Sequence, residues 1–276
     1  MGAVHLTVAS LVRSLDYYEQ AIGLRVHRRD DDQAALGAGG PDLLVLHEQA
    51  GARPSRGFCG LFHFALLVPE RADLAAWLVH AAREQVALTG LSDHFVSEAI
   101  YLSDPDEHGI EIYWDRPREH WEGQVGRRLT TLPLDTDSLL SELADPLREP
   151  FDGLAEGAVM GHVHFRVAEI APTVGFYNGV LGLDLMAQLG AQAAFLSAGG
   201  YHHHVGANTW QSAGAPAVPQ DVAGLRHATM LLPDAAAVDA LARQVERGGQ
   251  PPEVLDDGGV LVRDPSGNAL VLRTAS

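Results

Sequence analysis

The sequence predicts an α+β fold of four βαβββ modules arranged as two tandem halves. Three internal correspondences predict it. Val4-His5-Leu6-Thr7-Val8, running on to Tyr17-Tyr18 and Gly23-Leu24, is matched by Val163-His164-Phe165-Arg166-Val167, running on to Phe176-Tyr177 and Gly182-Leu183. Gly60-Leu61-Phe62-His63, leading to Leu66-Leu67-Val68-Pro69, is matched by Gly224-Leu225-Arg226-His227, leading to Leu231-Leu232-Pro233. Tyr101-Leu102-Ser103-Asp104-Pro105 is matched by Leu261-Val262-Arg263-Asp264-Pro265. Self-similarity of this kind marks a repeated supersecondary unit.

In the first module a strand pattern at 4–8 gives way to a helix pattern. Ser10 is placed to cap the helix, Leu11, Leu15, Tyr18 and Ile22 recur at helical spacing, and Gly23 ends it. Residues 33–38 and 43–47 read as strands around a Gly39-Gly40-Pro41 turn. The second module repeats the plan. A strand at 61–68 precedes a helix near 71–85, with Leu74, Trp77, Leu78 and Ala81 on one face. A hairpin follows from Val96 to Trp114, turning at Ser103-Asp104-Pro105-Asp106. Modules 1 and 2 give an N-terminal domain, 1–115. Residues 116–157 are rich in Pro, Gly and charge, carry a short helix at about 137–144, and read as a connector. Modules 3 and 4 give a C-terminal domain, 158–276.

The composition narrows the function. With 46% hydrophobic residues, the 276-residue chain can build a large core or two smaller ones. A net charge of −17 argues against nucleic acid or an anionic membrane as partner. Cys59 is the only cysteine, so no disulfide forms within the chain. Neither a spanning apolar run nor a signal peptide within residues 1–25 is recognisable, and a cytoplasmic protein is expected. Apolar helix faces permit a homodimer. The 14 histidines are unusually many, and several fall inside apolar strands.

Four βαβββ modules in two halves resemble the vicinal oxygen chelate superfamily, which includes glyoxalase I, fosfomycin-resistance proteins and extradiol dioxygenases. The segments Ser92 to Pro105, Gly109-Ile110-Glu111-Ile112-Tyr113 and Gly199-Gly200-Tyr201-His202-His203-His204 are similar to its two-domain catechol 2,3-dioxygenase-like branch. The resemblance covers nearly the whole chain and implies curved mixed sheets. It also implies that two modules share one metal, held from the first and last strands of each. Counting five residues back from the strand-closing residue gives His63 from Val68, His162 from Val167, His227 from Leu232 and Ala3 from Val8. The last strands offer Glu111 in module 2, Val271 in module 4, the 202–204 histidines in module 3, and Leu44, Leu46 and His47 in module 1.

That inventory favours modules 2 and 3, with His63, Glu111 and His162 as metal ligands. If modules 1 and 2 paired instead, His5 would replace His162. His5 and His164 both face inward by strand alternation. A lone histidine on an apolar strand is commonly a satisfied core residue. A glutamate on an equally apolar strand is costly without a positive partner, and a metal relieves both. Two imidazoles and one carboxylate leave up to three adjacent positions open, which suits non-haem Fe(II) and leaves Mn(II) as an alternative. The expected activity is therefore extradiol cleavage of a small catechol- or hydroquinone-like aromatic with O2.

Resemblance makes His204 the acid–base histidine, with its register open to a shift by one, because alternation sets His203 opposite His202 and His204. Tyr101, ten residues before Glu111, and His94 are expected to hydrogen-bond the substrate oxygen. His27, His80, His108 and His120 read as surface residues. Two other readings stay open. One is a glyoxalase-like lyase or isomerase using Zn(II), Ni(II) or Mn(II), with His204 as a fourth ligand. The other is a protein that sequesters an aromatic drug without catalysis.

Overall fold

The computed structural model describes residues 1–146, 150–219 and 221–275. The first module comprises β1 (Val4–Val8), α1 (Leu11–Tyr17), β2 (Arg25–Arg29), β3 (Gln33–Gly37) and β4 (Asp42–Glu48). The second comprises β5 (Gly60–Leu67), α2 (Arg71–Arg83), β6 (Leu88–Asp93), β7 (Ser97–Ser103) and β8 (Gly109–Asp115). The connector holds α3 (Val125–Arg128), β9 (Leu132–Pro133) and α4 (Thr136–Leu140). The third module comprises β10 (Val159–Arg166), α5 (Ile170–Val174), β11 (Asp184–Leu189), β12 (Ala193–Ser197) and β13 (Val205–Asn208). The fourth comprises β14 (Gly224–Leu232), α6 (Ala235–Arg247), β15 (Glu253–Val254), β16 (Val260–Arg263) and β17 (Ala269–Thr274).

Local chemistry accounts for the helix starts. Ser10 Oγ accepts from Arg13 N, as the sequence predicts, and Asp234 caps α6 through Ala237 N at 2.8 Å. α1 widens into a π-turn over Tyr18–Ile22, and α5 does the same over Gly175–Val180. The repeat thus extends to the way its helices end. Gly23 closes the first of them at φ +84°, a conformation that a side chain would strain.

The modules do not pair with their neighbours in sequence. One sheet runs β15-β16-β17-β14-β1-β4-β3-β2 and joins modules 4 and 1. The other runs β11-β12-β13-β10-β5-β8-β7-β6-β9 and joins modules 3 and 2, with connector strand β9 at its edge. Antiparallel pairs β1/β14 and β5/β10 form the two centres, each flanked by parallel ladders. Modules 2 and 3 therefore share a sheet, as the ligand inventory requires. His5 is thereby removed as a replacement for His162. It lies in the other sheet, opposite His227.

A continuous apolar core draws on both sheets and includes Leu6, Tyr18, Phe64, Trp77, Phe165 and Leu270. Two matching turns tie the sheets together. Asp104 accepts from the backbone N–H groups of Asp106 and His108 and from the Tyr18 hydroxyl at 2.8 Å. Asp264 accepts from those of Ser266 and Asn268 and from the Tyr177 hydroxyl at 3.3 Å. The aligned Asp-Pro pairs are thus anchors between modules 1 and 2 and between modules 3 and 4. His108, expected at the surface, is 2% exposed and bonded through Nδ1 to Asp104 at 2.8 Å. The bond that closes the turn offsets part of the cost of burying His108, whose Nε2 has no partner.

Candidate metal centre

The centre is written across the middle of the nine-stranded sheet. His162 on β10 faces Ala65 on β5, Ala65 faces Glu111 on β8, and Glu111 faces Tyr101 on β7. His63, two residues before Ala65, lies on the same face. Ala65 is fully buried and small, which leaves space over the row. The β5/β10 register shifts between Met160 and His162, so Gly161 is bulged beside His162. Only glycine fits there: a Cβ would sit 1.8 Å from the Tyr113 hydroxyl.

His63, Glu111 and His162 each offer a donor atom within 4.8 Å of the others, and all three are buried. Glu111 Oε2 lies 3.0 Å from His63 Nε2 and 3.1 Å from His162 Nε2. His63 Nε2 nevertheless makes no hydrogen bond, and His162 Nδ1 is also without a partner. Burial alone would raise the Glu111 carboxyl, but His162 and His63 beside it hold it well below the usual carboxylate range. Burial lowers His162, an effect that Glu111 partly offsets. An ionised carboxylate between two convergent imidazoles, each with an orphaned nitrogen, is a donor set that fits a divalent ion.

The centre opens into a cavity of about 530 Å³. Tyr101 and His94, both singled out in the sequence, line it and bond to each other, Tyr101 Oη to His94 Nε2 at 2.7 Å. His94 Nδ1 lies 2.7 Å from the Thr130 carbonyl, which can only accept, so Nδ1 carries the proton and Tyr101 donates to Nε2. Burial and then the Glu111 charge push the Tyr101 hydroxyl well above its ordinary pKa.

The 202–204 run is placed differently from the expectation. His204 does not line the cavity; its Nδ1 lies 3.3 Å from Ser197 Oγ and from Ala198 N. His203 lines it, its ring 4.1 Å from that of His162. His202 stands behind, with Nε2 at 2.8 Å from Asp115 Oδ1 and Nδ1 at 2.8 Å from His203 Nδ1. Asp115 accepts from His202 Nε2–H, so the His202 Nδ1 lone pair accepts from His203 Nδ1–H. His203 Nε2 is left as the basic nitrogen. Alternation fails here because β13 begins only at Val205, and Gly199 and Gly200 stand in left-handed conformations at φ +65° and +69°.

Other lining residues carried no sequence signal. Leu129, Thr130 and Thr131 come from the connector, and Leu189, Phe195 and Trp210 from module 3. His164, whose inward face alternation does predict, also lines the cavity, and its Nε2 is unpartnered. Burial and then the neighbouring His63 and His162 keep it well below the ordinary imidazole pKa.

The fold is the repeated βαβββ fold, and His63, Glu111 and His162 are a group that could hold a metal ion. The chain belongs to the Glyoxalase/Bleomycin resistance protein/Dioxygenase superfamily, whose family model matches residues 1–112 and 159–272. It is 38% identical over 277 residues to a catechol-2,3-dioxygenase of Bacillus subtilis (strain 168), covering 98% of this chain and 95% of that one. Among solved structures, a protein from Bacillus subtilis subsp. subtilis str. 168 superposes with a TM-score of 0.67 at 18% identity, covering 99% of this chain and 85% of that one. Glyoxalase I from Zea mays superposes with a TM-score of 0.60 at 16% identity, covering 99% and 92%. Among the described residues no helix is long and apolar enough to cross a membrane.

Proposed function

We propose that the protein is an Fe(II)-dependent extradiol dioxygenase that opens a catechol-type ring with O2. The observation that carries this reading is the buried set of His63, Glu111 and His162, opening onto a cavity beside Tyr101 and His203. The full-length relative named for catechol 2,3-dioxygenation supports it. Bound there, iron would bring the catechol oxygens and O2 together and allow electrons to pass between them.

The chain's own groups supply the rest. His203 Nε2 takes a proton from the entering catechol hydroxyl, and the Asp115–His202 pair behind it holds the ring in the required tautomer. Tyr101 keeps its proton, which it donates to His94 Nε2, and so presents an oxygen lone pair in a fixed direction to a substrate hydroxyl. His203 then returns its proton as the ring opens. The buried inner end of the cavity, around His63, Glu111, His164 and His203, limits the access of water to the reacting atoms.

The test is metal analysis of anaerobically purified protein followed by oxygen uptake with catechol. About one iron per chain, with catechol-dependent uptake and a yellow product, is the expected result. Zinc or nickel with no uptake overturns the reading and favours a lyase of the same fold.

A further inference from the structure

Two large apolar side chains, Leu189 at 51% and Trp210 at 50% exposure, stand open to water although most of their kind are buried. Both line the cavity that leads to the donor set. Scattered exposed hydrophobics need no explanation, but a pair at the mouth of a pocket does. Behind them Phe62 packs edge-on to Trp210 at 5.4 Å, and Phe195 lies 5.7 Å from His164. Val96 and Leu129 also line the cavity, packed in one apolar cluster with Phe195. The chain has no lysine, and among the described residues no arginine lines the cavity and Glu111 is its one carboxylate.

Size carries the argument further. Catechol has eight non-hydrogen atoms. Even at the roughly 30 Å³ that each water claims in the liquid, these fill about 240 Å³. That is less than half of the cavity of about 530 Å³. A ring held at the donor set leaves the outer half empty, against an apolar wall.

We propose that this outer half is a substituent subsite, so that the preferred substrate is an uncharged catechol bearing an aromatic or alkyl group, and ring acids are rejected. The inference rests on the aromatic-substrate reading above and sharpens it. An apolar substituent is drawn from water by Trp210, Phe62 and Leu189. A carboxylate entering the same space loses its hydration and meets no cation, in a protein of net charge −17. Trp210 and Leu189 act on the substituent alone and do not touch the ring that reacts.

The test is anaerobic calorimetric titration of the iron-loaded protein with catechol, 3-phenylcatechol and 3,4-dihydroxybenzoate. 3-Phenylcatechol is expected to bind about tenfold or more tighter than catechol. The acid is expected to bind about tenfold or more weaker. Trp210→Ala, at a half-exposed site where the fold is not at stake, should remove most of the phenyl advantage and leave catechol within about twofold. Equal binding of all three probes, tightest binding of the acid, or an equal loss for catechol and 3-phenylcatechol in Trp210→Ala overturns the subsite. Oxygen uptake is read separately. Phenyl-selective binding without uptake overturns ring cleavage and leaves the subsite standing; uptake without phenyl selectivity does the reverse.

Discussion

Replacing Glu111 by glutamine keeps the side chain's shape and removes the donor set's one carboxylate. The change falls on a residue 2% exposed, with imidazole nitrogens 3.0 and 3.1 Å from the same oxygen. Loss of a partner that merely orients a metal ligand costs about 10–100-fold in affinity, so loss of a ligand among three should cost at least about 100-fold. At a metal concentration about 100 times the wild-type Kd, the ion stabilises the native state by about 2.7 kcal/mol; after a 100-fold loss of affinity the same concentration gives about 0.4 kcal/mol. For a chain of this size that is a melting shift of about 5–10 °C in the wild type and about 1–2 °C in Glu111→Gln. The assay is an anaerobic melt with Fe(II) and with chelator, followed by circular dichroism. A full metal-dependent shift in Glu111→Gln would refute the site, as would a wild type that melts identically with metal and with chelator.

Four further outcomes follow from the geometry. His203→Gln should lower kcat about 100-fold or more, while His204→Gln stays within about threefold, read by oxygen uptake. Tyr101→Phe should cost about tenfold in kcat/KM with the melting temperature little changed, since it removes one hydrogen bond to the substrate. Gly161→Ala should cost about 1–3 kcal/mol in urea unfolding, because its Cβ meets the buried Tyr113 hydroxyl at 1.8 Å. In the other sheet, His5 stacks on His227 at 3.9 Å and lies 3.1 Å from His47. Burial first, then neighbouring positive charge, lowers His5 to about 3 and His47 and His227 to about 4. With native pKa values depressed, the unfolded chain binds more protons below about pH 6.5. The stability this cluster provides is therefore full above that pH and drains away toward pH 4 and 3. Urea midpoints should fall between pH 7 and pH 5, and His5→Phe should flatten that fall; an unchanged slope in His5→Phe would contradict it.

The repeat was legible because each module must bury one apolar face, and that need is written as apolar strands at matching offsets. The module 2–3 pairing was legible for a different reason. His63, Glu111 and His162 are expensive on apolar strands unless brought together, so the cost itself pointed to the arrangement. His203 escaped because a period-two argument holds only inside a strand, and the chain turns through two left-handed glycines just before β13. His108 escaped because its burial depends on a bond to Asp104 within a turn, which hydropathy does not register. The cavity walls escaped because Thr130, Leu189 and Trp210 come from segments whose local patterns report nothing of where they converge.

The sheets are nested along the chain, and this bears on the order in which the protein can assemble at the ribosome. His63 and its partner His164 are roughly 100 residues apart, whereas His5 and its partner His227 are roughly 220 apart. At roughly 5–20 residues per second, the outer edge of β1 waits about 10–45 s for β14 to be made. The inner sheet can close earlier, since all of its strands precede residue 209. During synthesis the first module is thus the exposed one, an open strand edge beside an already folded partner, and this is where a chaperone or an aggregating neighbour would engage the nascent chain.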